Sequence, residues 1–195
     1  MTTCQYPSVS HGWGRLIVIS APSGAGKTTL VERLLERNRN LVRSVSYTTR
    51  LPRAGETNGK DYSFVSKDEF REKQENGFFL ESADVFGHLY GTSRELVMKK
   101  LAEGRDVILA VDVQGMKQLR KTVPSHIRMI SIFIMPPSQV ALRRRLNKRK
   151  TETKQEVNKR LRLAEKEMRQ RDLYDHVVIN KRIDQAVKTI EGVLK

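Results

Sequence analysis

The sequence predicts an α/β fold in which a parallel sheet is covered by helices on both faces. Two observations carry this prediction: short, continuously apolar runs recur along the chain, and segments with helical spacing separate them. A strand that is apolar at every position is buried on both faces, as in parallel sheets. Alternation of such strands with helices is typical of doubly wound folds. With 195 residues, the chain is long enough to form one sizeable core.

The predicted elements alternate in chain order. Apolar runs predict five strands, of which the second is the weakest: residues 16–20, 41–45, 107–111, 129–134 and 176–179. Helical spacing predicts helices between and after them: residues 28–39, 113–121, 138–148, 153–170 and 182–194. Residues 46–92 interrupt this rhythm, because they hold most of the aromatic residues, several glycines and a proline. We expect that stretch to be a small, mostly β insertion.

Two capping boxes indicate where further helices begin. Ser66-Lys67-Asp68-Glu69 opens a short helix inside the insertion, and Asn76-Gly77 closes it. Thr92-Ser93-Arg94-Glu95 opens the next helix in the same way, with Gly104 after its end. The insertion therefore holds one helix and is followed directly by another.

A glycine-rich turn joins the first predicted strand to the first helix. It reads Ala21-Pro22-Ser23-Gly24-Ala25-Gly26-Lys27-Thr28, and Thr29 follows in the helix. Small residues let backbone N–H groups turn toward a phosphate chain, and the helix N-terminus adds its positive dipole. Lys27 is placed to reach the β- and γ-phosphates, and the Thr28 hydroxyl to bind Mg²⁺. This segment predicts a P-loop for a nucleoside triphosphate. Ala21 replaces the first glycine of the strict pattern, at little cost if its φ is negative.

The net charge of +15 is concentrated in one segment. Residues 143–171 contain 13 Lys or Arg against 4 Glu, a net +9. Nucleic-acid binding is one explanation of a basic surface, but the segment has no aromatic residue on which bases would stack. A solvated helix face is the other general explanation. Nucleic acid is therefore an unfavoured partner.

Composition also bounds the cellular setting. No apolar stretch approaches the roughly 18–20 residues that span a bilayer, and residues 1–14 lack the pattern of a signal peptide. We expect those residues to form a flexible leader. Cys4 is the only cysteine, so no intrachain disulfide is possible. A reducing, cytoplasmic location fits this composition.

The insertion contains residue types suited to binding a phosphate. Arg50 and Arg53 flank Pro52 and are spaced to converge on one phosphate with bidentate hydrogen bonds. Tyr62 and Tyr90 offer hydroxyl donors. Taken singly, each has an alternative: a solvated surface charge for either arginine, and an ordinary strand-surface residue for either tyrosine.

Glu81 ends the otherwise apolar run Phe78-Phe79-Leu80. A carboxylate in such a run needs a partner to offset its desolvation. The adjacent N1–H and N2–H₂ donors of guanine match its two oxygens, and adenine lacks that pair. A nearby lysine is the alternative partner.

Several motifs, in one order, resemble the guanylate kinase family. They are the P-loop, Ser-x-Thr-Thr-Arg-x-Pro-Arg-x-Gly-Glu from Ser46, Gly-x-Asp-Tyr-x-Phe from Gly59, Tyr-Gly-Thr from Tyr90, Val-Asp-Val-Gln-Gly from Val111, and Thr-Glu-Thr from Thr151 with Lys-Arg-Leu after it. The resemblance runs from about Arg15 to the C-terminus. It implies phosphoryl transfer from MgATP to GMP, giving ADP and GDP, in purine nucleotide metabolism and GMP recycling.

The resemblance also implies a domain organisation. A P-loop NTPase core would comprise residues 15–45, 93–142 and 171–195, with a GMP-binding subdomain at 46–92 and a helical lid at 143–170. ATP and GMP are the implied partners, with dGMP as a second candidate acceptor. The sequence does not distinguish a monomer from a homo-oligomer.

Residues that match the family's acceptor motifs take their implied roles from it. Those that would hold the guanine base are Ser46, Glu81 and Thr92, and those that would hold the GMP phosphate are Arg50, Arg53, Tyr62 and Tyr90. Glu56 would orient the arginines. Asp112 matches an aspartate between the two substrates, although it could merely cap the following helix. The family's usual acidic residue two positions earlier is Ala110 here, which puts a metal-water or monovalent-ion contact in doubt.

The resemblance also implies roles for residues on the side of the phosphate donor, ATP. ATP would be bound by residues 21–29, with Asn180 on the adenine side and Mg²⁺ on Thr28. The lid arginines would close over the ATP phosphates, namely Arg145, Arg149 and Arg160. Catalysis would rest on cations around the transferred phosphoryl group, supplied by these three arginines, Lys27 and Arg50.

Two other functional classes stay open on sequence grounds. One is a non-catalytic binding module of the same fold, which has no need of Lys27 with Thr28 or of the lid arginines. The other is a P-loop kinase that phosphorylates a sugar phosphate, which offers no guanine edge for Glu81 to read.

Overall fold

The structure, a computed structural model, describes residues 12–147 and 154–195, without the side chains of residues 154 and 156. Its strands are β1 (Leu16–Ser20), β2 (Leu41–Arg43), β3 (Tyr47–Thr48), β4 (Ser63–Phe64), β5 (Phe79–Val85), β6 (His88–Ser93), β7 (Asp106–Ala110), β8 (Met129–Met135) and β9 (His176–Ile179). Its helices are α1 (Lys27–Arg37), α2 (Lys67–Glu75), α3 (Arg94–Ala102), α4 (Val113–Thr122), α5 (Gln139–Asn147), α6 (Lys154–Met168) and α7 (Ile183–Val193), with a short 3-10 helix at Arg171–Leu173.

The five predicted apolar runs form one sheet with the strand order β2-β7-β1-β8-β9. β2 pairs with β7, and β8 with β9, in parallel. Every residue of β1 is buried, as continuous apolarity predicted. This confirms the predicted α/β class with a parallel sheet and helices.

The last strand departs from the prediction of burial on both faces. In β9 only Val178 is buried, and Val177 and Ile179 are 44% and 56% exposed. The reason is position, because β9 is the edge of the sheet. Apolarity alone does not distinguish an edge strand from a central one.

The regular structure within residues 46–92 consists of strands β3, β4, β5 and most of β6 with one helix, α2, which agrees with the expected β-rich insertion. They supply a second sheet with the order β4-β3-β6-β5, in which β6 is antiparallel to both β3 and β5. Phe86 and Gly87 connect β5 to β6 with φ of 55° and 81°. Positive φ at both central residues is the conformation that closes a two-residue hairpin.

One of the two predicted capping boxes lies where the sequence placed it. Ser66 precedes α2, and its side chain accepts a hydrogen bond from the N–H of Glu69 at 3.1 Å. The second box is wrong by one residue, because Ser93 caps α3 by accepting from the N–H of Leu96. Thr92 is still a residue of β6, where it pairs with Glu81 and its hydroxyl donates to that carboxylate.

The chain groups into two compact units. The first unit comprises the described residues up to Leu16 together with residues 40–109 and 114–129. Its interior includes a stacked pair of rings, Phe70 and Phe79. Nearer the surface, the half-buried ring of Trp13 makes an edge-on contact with exposed His126, with ring centres 5.0 Å apart. Gly14 lies so close to the backbone of Arg105 that a Cβ would meet its carbonyl oxygen.

The second unit comprises residues 17–39, 110–113, 130–147 and 154–195. It contains most of β1 and β8 with helices α1, α5, α6 and α7. Within it, Leu142 and Leu146 of α5 pack with Val157 and Ala164 of α6 in one buried cluster. Among the described residues, no helix is both long enough and apolar enough to cross a membrane.

Candidate active site

The P-loop of the second unit connects β1 to α1 through two glycines in left-handed conformations. Gly24 and Gly26 have φ of 87° and 94°, and the N–H of Ala25 donates to the Pro22 carbonyl at 3.0 Å. Phe86 is the one non-glycine residue with positive φ in the described part of the chain, so Ala21 meets the condition set for it. α1 begins after Gly26, which has no side chain to cap the first N–H groups of the helix. Uncapped N–H groups at a helix N-terminus are the feature by which such termini bind anions.

Lys27 opens α1 and reaches toward the end of β7. Its ammonium donates to the Val111 carbonyl at 3.0 Å, next to Asp112. Asp112 belongs to the second unit, as the P-loop does. The Ser20 hydroxyl donates to the backbone carbonyl of Asp112 at 3.5 Å. Thr28 and Thr29 lie exposed on the first turn of the same helix.

A carboxylate that the sequence did not single out faces this lysine. Glu167 lies in the last turn of α6, where burial, reinforced by Asp112 and opposed by Lys27, raises its pKa to about 7. Its position there depends on how α6 folds back toward the P-loop. No local pattern distinguishes this glutamate from the other charged residues of α6.

Two of the three predicted lid arginines contact the P-loop. Arg160 donates to the Ser23 hydroxyl at 2.9 Å. Arg145 donates to the Ala25 carbonyl at 3.2 Å and to the Asn180 carbonyl at 3.0 Å. The third, Arg149, lies outside the described residues.

Asn180 is not placed on an open surface. Its side chain is 1% exposed, and its amide Nδ2 donates to the Ala25 carbonyl at 2.8 Å. Its Oδ1 has no hydrogen-bond partner among the described residues. The residue follows β9 directly and donates its own N–H to the Met135 carbonyl.

In the first unit, Glu56 holds Arg50 in a bidentate pair. Arg50 Nη1 and Nη2 each donate to one Glu56 oxygen at 2.9 Å, and the backbone N–H of Arg53 donates to the same carboxylate at 2.8 Å. These hydrogen bonds raise the pKa of Arg50 above its usual value and lower that of Glu56. Glu56 therefore orients the side chain of Arg50 but only the backbone of Arg53, whose side chain is exposed.

Aromatic rings border this arginine. The Arg50 guanidinium lies 5.4 Å from the centre of the Tyr62 ring, and Tyr90 lies 6.0 Å from Tyr62, ring to ring. Burial raises the pKa of Tyr62, so that hydroxyl stays a donor at neutral pH. Arg43, which the sequence argument did not include, is 5.8 Å from the same ring. Two guanidinium groups and two phenol rings thus lie together in the first unit.

Glu81 and Thr92 face each other across β5 and β6. The Thr92 hydroxyl donates to Glu81 at 2.6 Å, and the two residues are 5% and 0% exposed. Ser46 is half-buried just before β3, and its carbonyl accepts from the N–H of Ser63.

Tyr90 and Thr92 are two residues apart on β6 and therefore point to the same face of the strand. One is next to Arg50 and the other is bonded to Glu81. Their separation along the strand is about 7 Å. A cationic end and a carboxylate end are thus built on one strand face.

Comparisons with known proteins agree with these observations. The family model described as guanylate kinase matches residues 13–195. A guanylate kinase from Wolbachia sp. subsp. Brugia malayi is 51% identical over 181 residues, covering 93% of this chain and 92% of its own. A guanylate kinase from Caldanaerobacter subterraneus subsp. tengcongensis is 46% identical over 181 residues, covering 93% and 86%.

A solved structure is similar over most of the chain. The crystal structure of guanylate kinase from Anaplasma phagocytophilum superposes with a TM-score of 0.78 at 36% sequence identity. It covers 94% of this chain and 86% of its own. The similarity extends through both compact units.

Proposed function

The chain belongs to the guanylate kinase family and catalyses ATP-dependent phosphorylation of GMP, and we propose that its first unit binds GMP and its second unit binds ATP. The resemblance inferred from the motifs is thereby confirmed. The observation that carries the residue assignment is the shared face of β6, with Tyr90 beside Arg50 and Thr92 bonded to Glu81. A mononucleotide presents a dianionic phosphate at one end and a base edge at the other, and this face offers a partner to each.

At the phosphate end, Arg50 is the principal ligand. Its guanidinium is already oriented by Glu56, so little side-chain entropy remains to be lost when a phosphate binds. Arg53 and the hydroxyls of Tyr62 and Tyr90 add donors around the same point. Arg43 contributes further positive charge through its position at Tyr62.

At the base end, Glu81 reads guanine with Thr92 and Ser46. The Thr92 hydroxyl occupies one side of the carboxylate and fixes its orientation. The N1–H and N2–H₂ of guanine would donate to the carboxylate in a buried setting. Adenine offers no matching pair of donors to the carboxylate, so we expect it to bind less tightly than guanine.

On the donor side, the P-loop cradles the triphosphate. In this structure Lys27 donates to the Val111 carbonyl, while Arg145 and Arg160 donate to oxygens of the P-loop. All three side chains would turn to the ATP phosphates. We propose the same role for Arg149, on the ground that it matches a lid arginine of the family. Phosphoryl transfer needs in-line placement and positive charge around a loose transition state, which these cations supply. The attacking group is a phosphate oxygen that is already largely ionised, with a second pKa near ~6, so no general base is required.

The donor set near the P-loop fits Mg²⁺. Among the described residues, no group of three or more His, Cys, Asp or Glu is placed to hold a metal. Mg²⁺ in nucleotide sites is held by one or two protein oxygens together with substrate phosphates, so no such cage is needed. Thr28, exposed on the first turn of α1, would provide the hydroxyl, and Asp112 lies in the same unit. When bound, the ion neutralises charge on the β- and γ-phosphates.

A substrate panel tests this assignment. ADP formation from MgATP is measured with GMP, dGMP, AMP, CMP, UMP and ribose bisphosphate offered separately. We expect turnover with guanine nucleotides and at least ~100-fold lower kcat/KM with AMP, because the buried carboxylate rejects an unmatched edge. Comparable activity with AMP would show that Glu81 does not read the base.

The Glu81→Gln variant localises that selectivity. Its amide replaces one acceptor oxygen with a donor that faces the donors of guanine, so kcat/KM for GMP should fall by about 100-fold or more. Glu95→Gln, which changes a carboxylate on neighbouring α3, is the matched control and should behave like the parent. Unchanged GMP kinetics in Glu81→Gln would contradict the proposed role.

A further inference from the structure

The carbonyl of Ala25 in the P-loop accepts hydrogen bonds from two side-chain donors. Asn180 Nδ2 lies 2.8 Å from this oxygen and Arg145 Nη1 lies 3.2 Å from it. The two donors are themselves joined, since Arg145 Nη2 donates to the Asn180 carbonyl at 3.0 Å. Asn180 is anchored in turn by its N–H, which donates to Met135 at the end of β8. The sheet is thereby linked to one peptide of the loop.

Holding this carbonyl determines which way the next N–H points. The described chain contains no cis peptide bond, so the Ala25 C=O and the Gly26 N–H point in opposite directions. With the carbonyl held toward Asn180, the Gly26 N–H is directed to the other side of the peptide. Phosphate-binding loops depend on successive backbone N–H groups turned to one side in this way.

The fit around this peptide is tight. A Cβ on Gly26 would lie 2.7 Å from Asn180 Nδ2, and Gly26 has a φ of 94°. Glycine is thus required there both by the backbone conformation and by the amide packed against it. Asn180 is 1% exposed, so its side chain is placed to act on the loop rather than on a solvent-facing ligand.

We propose that Asn180 is a positioning residue for the triphosphate: its carboxamide holds the Ala25–Gly26 peptide so that the Gly26 N–H faces the phosphates. This inference rests on the proposed binding of ATP by the P-loop. It differs from the adenine-side contact expected from the sequence, because the affected part of ATP is the phosphate chain. It also explains why the Ala25 carbonyl accepts from two side chains. Arg145 can leave this carbonyl for the ATP phosphates while Asn180 keeps the peptide in place.

Inorganic tripolyphosphate separates the two possible roles, because it has the phosphate chain of ATP and no base. Dissociation constants for ATP, tripolyphosphate and GMP are measured by calorimetry at one Mg²⁺ concentration for the parent, Asn180→Ala and Asn180→Asp. Gln185→Ala removes an exposed amide from α7 in the same unit and serves as the matched control. It should bind all three ligands like the parent.

We expect Asn180→Ala to weaken ATP and tripolyphosphate by the same factor, about 10-fold, which is the worth of one hydrogen bond, with GMP affinity unchanged. Asn180→Asp keeps the shape but places an acceptor against the Ala25 carbonyl, and its loss should be at least as large.

Weakened ATP binding with unchanged tripolyphosphate binding would assign Asn180 to the base and overturn the proposal. Unchanged binding of both would also overturn it. Loss of GMP binding in both Asn180 variants would show that Asn180 has a general role in folding, and it too would overturn the proposal. A parent protein that binds GMP but neither phosphate ligand would instead refute the proposed ATP site on which the inference depends.

Discussion

Arg50 illustrates how a single side chain is prepared for its ligand. Glu56 holds both of its terminal nitrogens, while the ring of Tyr62 lies beneath the guanidinium. The pair neutralises Arg50 in part, but it also removes the rotamer freedom that phosphate binding would otherwise have to remove. Because 11% of the Arg50 side chain is accessible, the cation remains reachable.

The Glu56→Gln substitution tests this preparation. An uncharged amide accepts fewer and weaker hydrogen bonds, so Arg50 and the backbone of Arg53 lose their common support. We expect KM for GMP to rise about 10-fold while KM for ATP stays within twofold. Steady-state kinetics with each substrate varied gives the result, and Glu69→Gln on α2 is the control. An equal rise in both KM values would contradict the proposed separation.

Glu167 predicts a pH dependence of stability. Its pKa in the folded protein is about 7, above the usual carboxyl value of 4.5 to which it returns on unfolding. Between these values the folded chain keeps a proton that the unfolded chain releases, so this contribution to stability falls as pH rises through the window. Glu167→Gln stays uncharged, and its Tm should exceed that of the parent at pH 8.

The difference in Tm between Glu167→Gln and the parent should disappear by pH 5, where Glu167 of the parent is protonated in the folded state. Thermal melts of nucleotide-free protein at intervals from pH 5 to pH 8 measure it. Glu165→Gln, an exposed position on the same helix, should follow the parent at every pH. A gap of the same size at pH 5 and pH 8 would rule out the titration of Glu167 as its cause.

Candidate site residues could be named from the sequence where chemistry and local pattern coincide, and their roles stay predictions. The two arginines beside Pro52 and the carboxylate that ends an apolar run carry their signal in neighbouring residues. Glu167 and Arg43 carry none, because their places near Lys27 and Tyr62 arise from contacts between distant segments. For Asn180, the resemblance suggested a ligand contact, whereas the structure shows a hydrogen bond to the loop.

At the scale of elements, periodicity predicted the five strands of the parallel sheet and the helices that alternate with them. The structure differs from the prediction at the start of one helix and at the edge of the sheet. Ser66 caps α2 where the pattern placed it, but Ser93 rather than Thr92 caps α3. The shift arises because β6 continues through Ser93, so Thr92 is still a strand residue, opposite Glu81 on β5. The same limit explains β9, whose exposure depends on which strands lie beside it.

The approach of Gly14 to the chain before β7 makes an element-level prediction. A Cβ at Gly14 would lie 1.9 Å from the Arg105 carbonyl oxygen, which is backbone and has little room to move. Gly14→Ala should therefore destabilise the fold by about 3 kcal/mol or more. Urea unfolding measures the change. Gly12→Ala, whose added Cβ has no atom of the described residues within 4 Å, should leave stability within about 0.5 kcal/mol of the parent.

Equal midpoints for Gly14→Ala and Gly12→Ala would mean that the chain before β1 adjusts without cost. The prediction would then fail, and the hydrogen bond from the Gly14 N–H to the Leu101 carbonyl would not hold that segment in place.

At the scale of the whole molecule, the two proposed sites separate by unit. The contacts around Arg50, Glu56, Glu81 and Thr92 are made within the first unit, and those around Lys27, Arg145, Arg160 and Asn180 within the second. The described parts of the basic segment, residues 143–147 and 154–171, belong to the second unit. We therefore expect much of the charge excess to act at the proposed triphosphate site.

Hydrogen exchange tests that separation. GMP alone should protect the amides of β3 and β6 most strongly, and ATP with Mg²⁺ should protect those of the P-loop and the first turn of α1. Mass spectrometry of peptides covering residues 46–93 and 17–39 resolves the two regions. If GMP protected the P-loop while leaving residues 46–93 unchanged, the assignment of substrates to units would be reversed.

Trp13, the chain's one tryptophan, packs edge-on against His126 within the first unit. Its fluorescence therefore reports the melting of that unit, whereas far-UV circular dichroism averages over the helices of both. Coincident transitions by the two signals would mean that the units unfold as one cooperative body, and separated transitions would assign a stability to each. An intrinsic reporter of this kind allows cooperativity to be followed without labelling the protein.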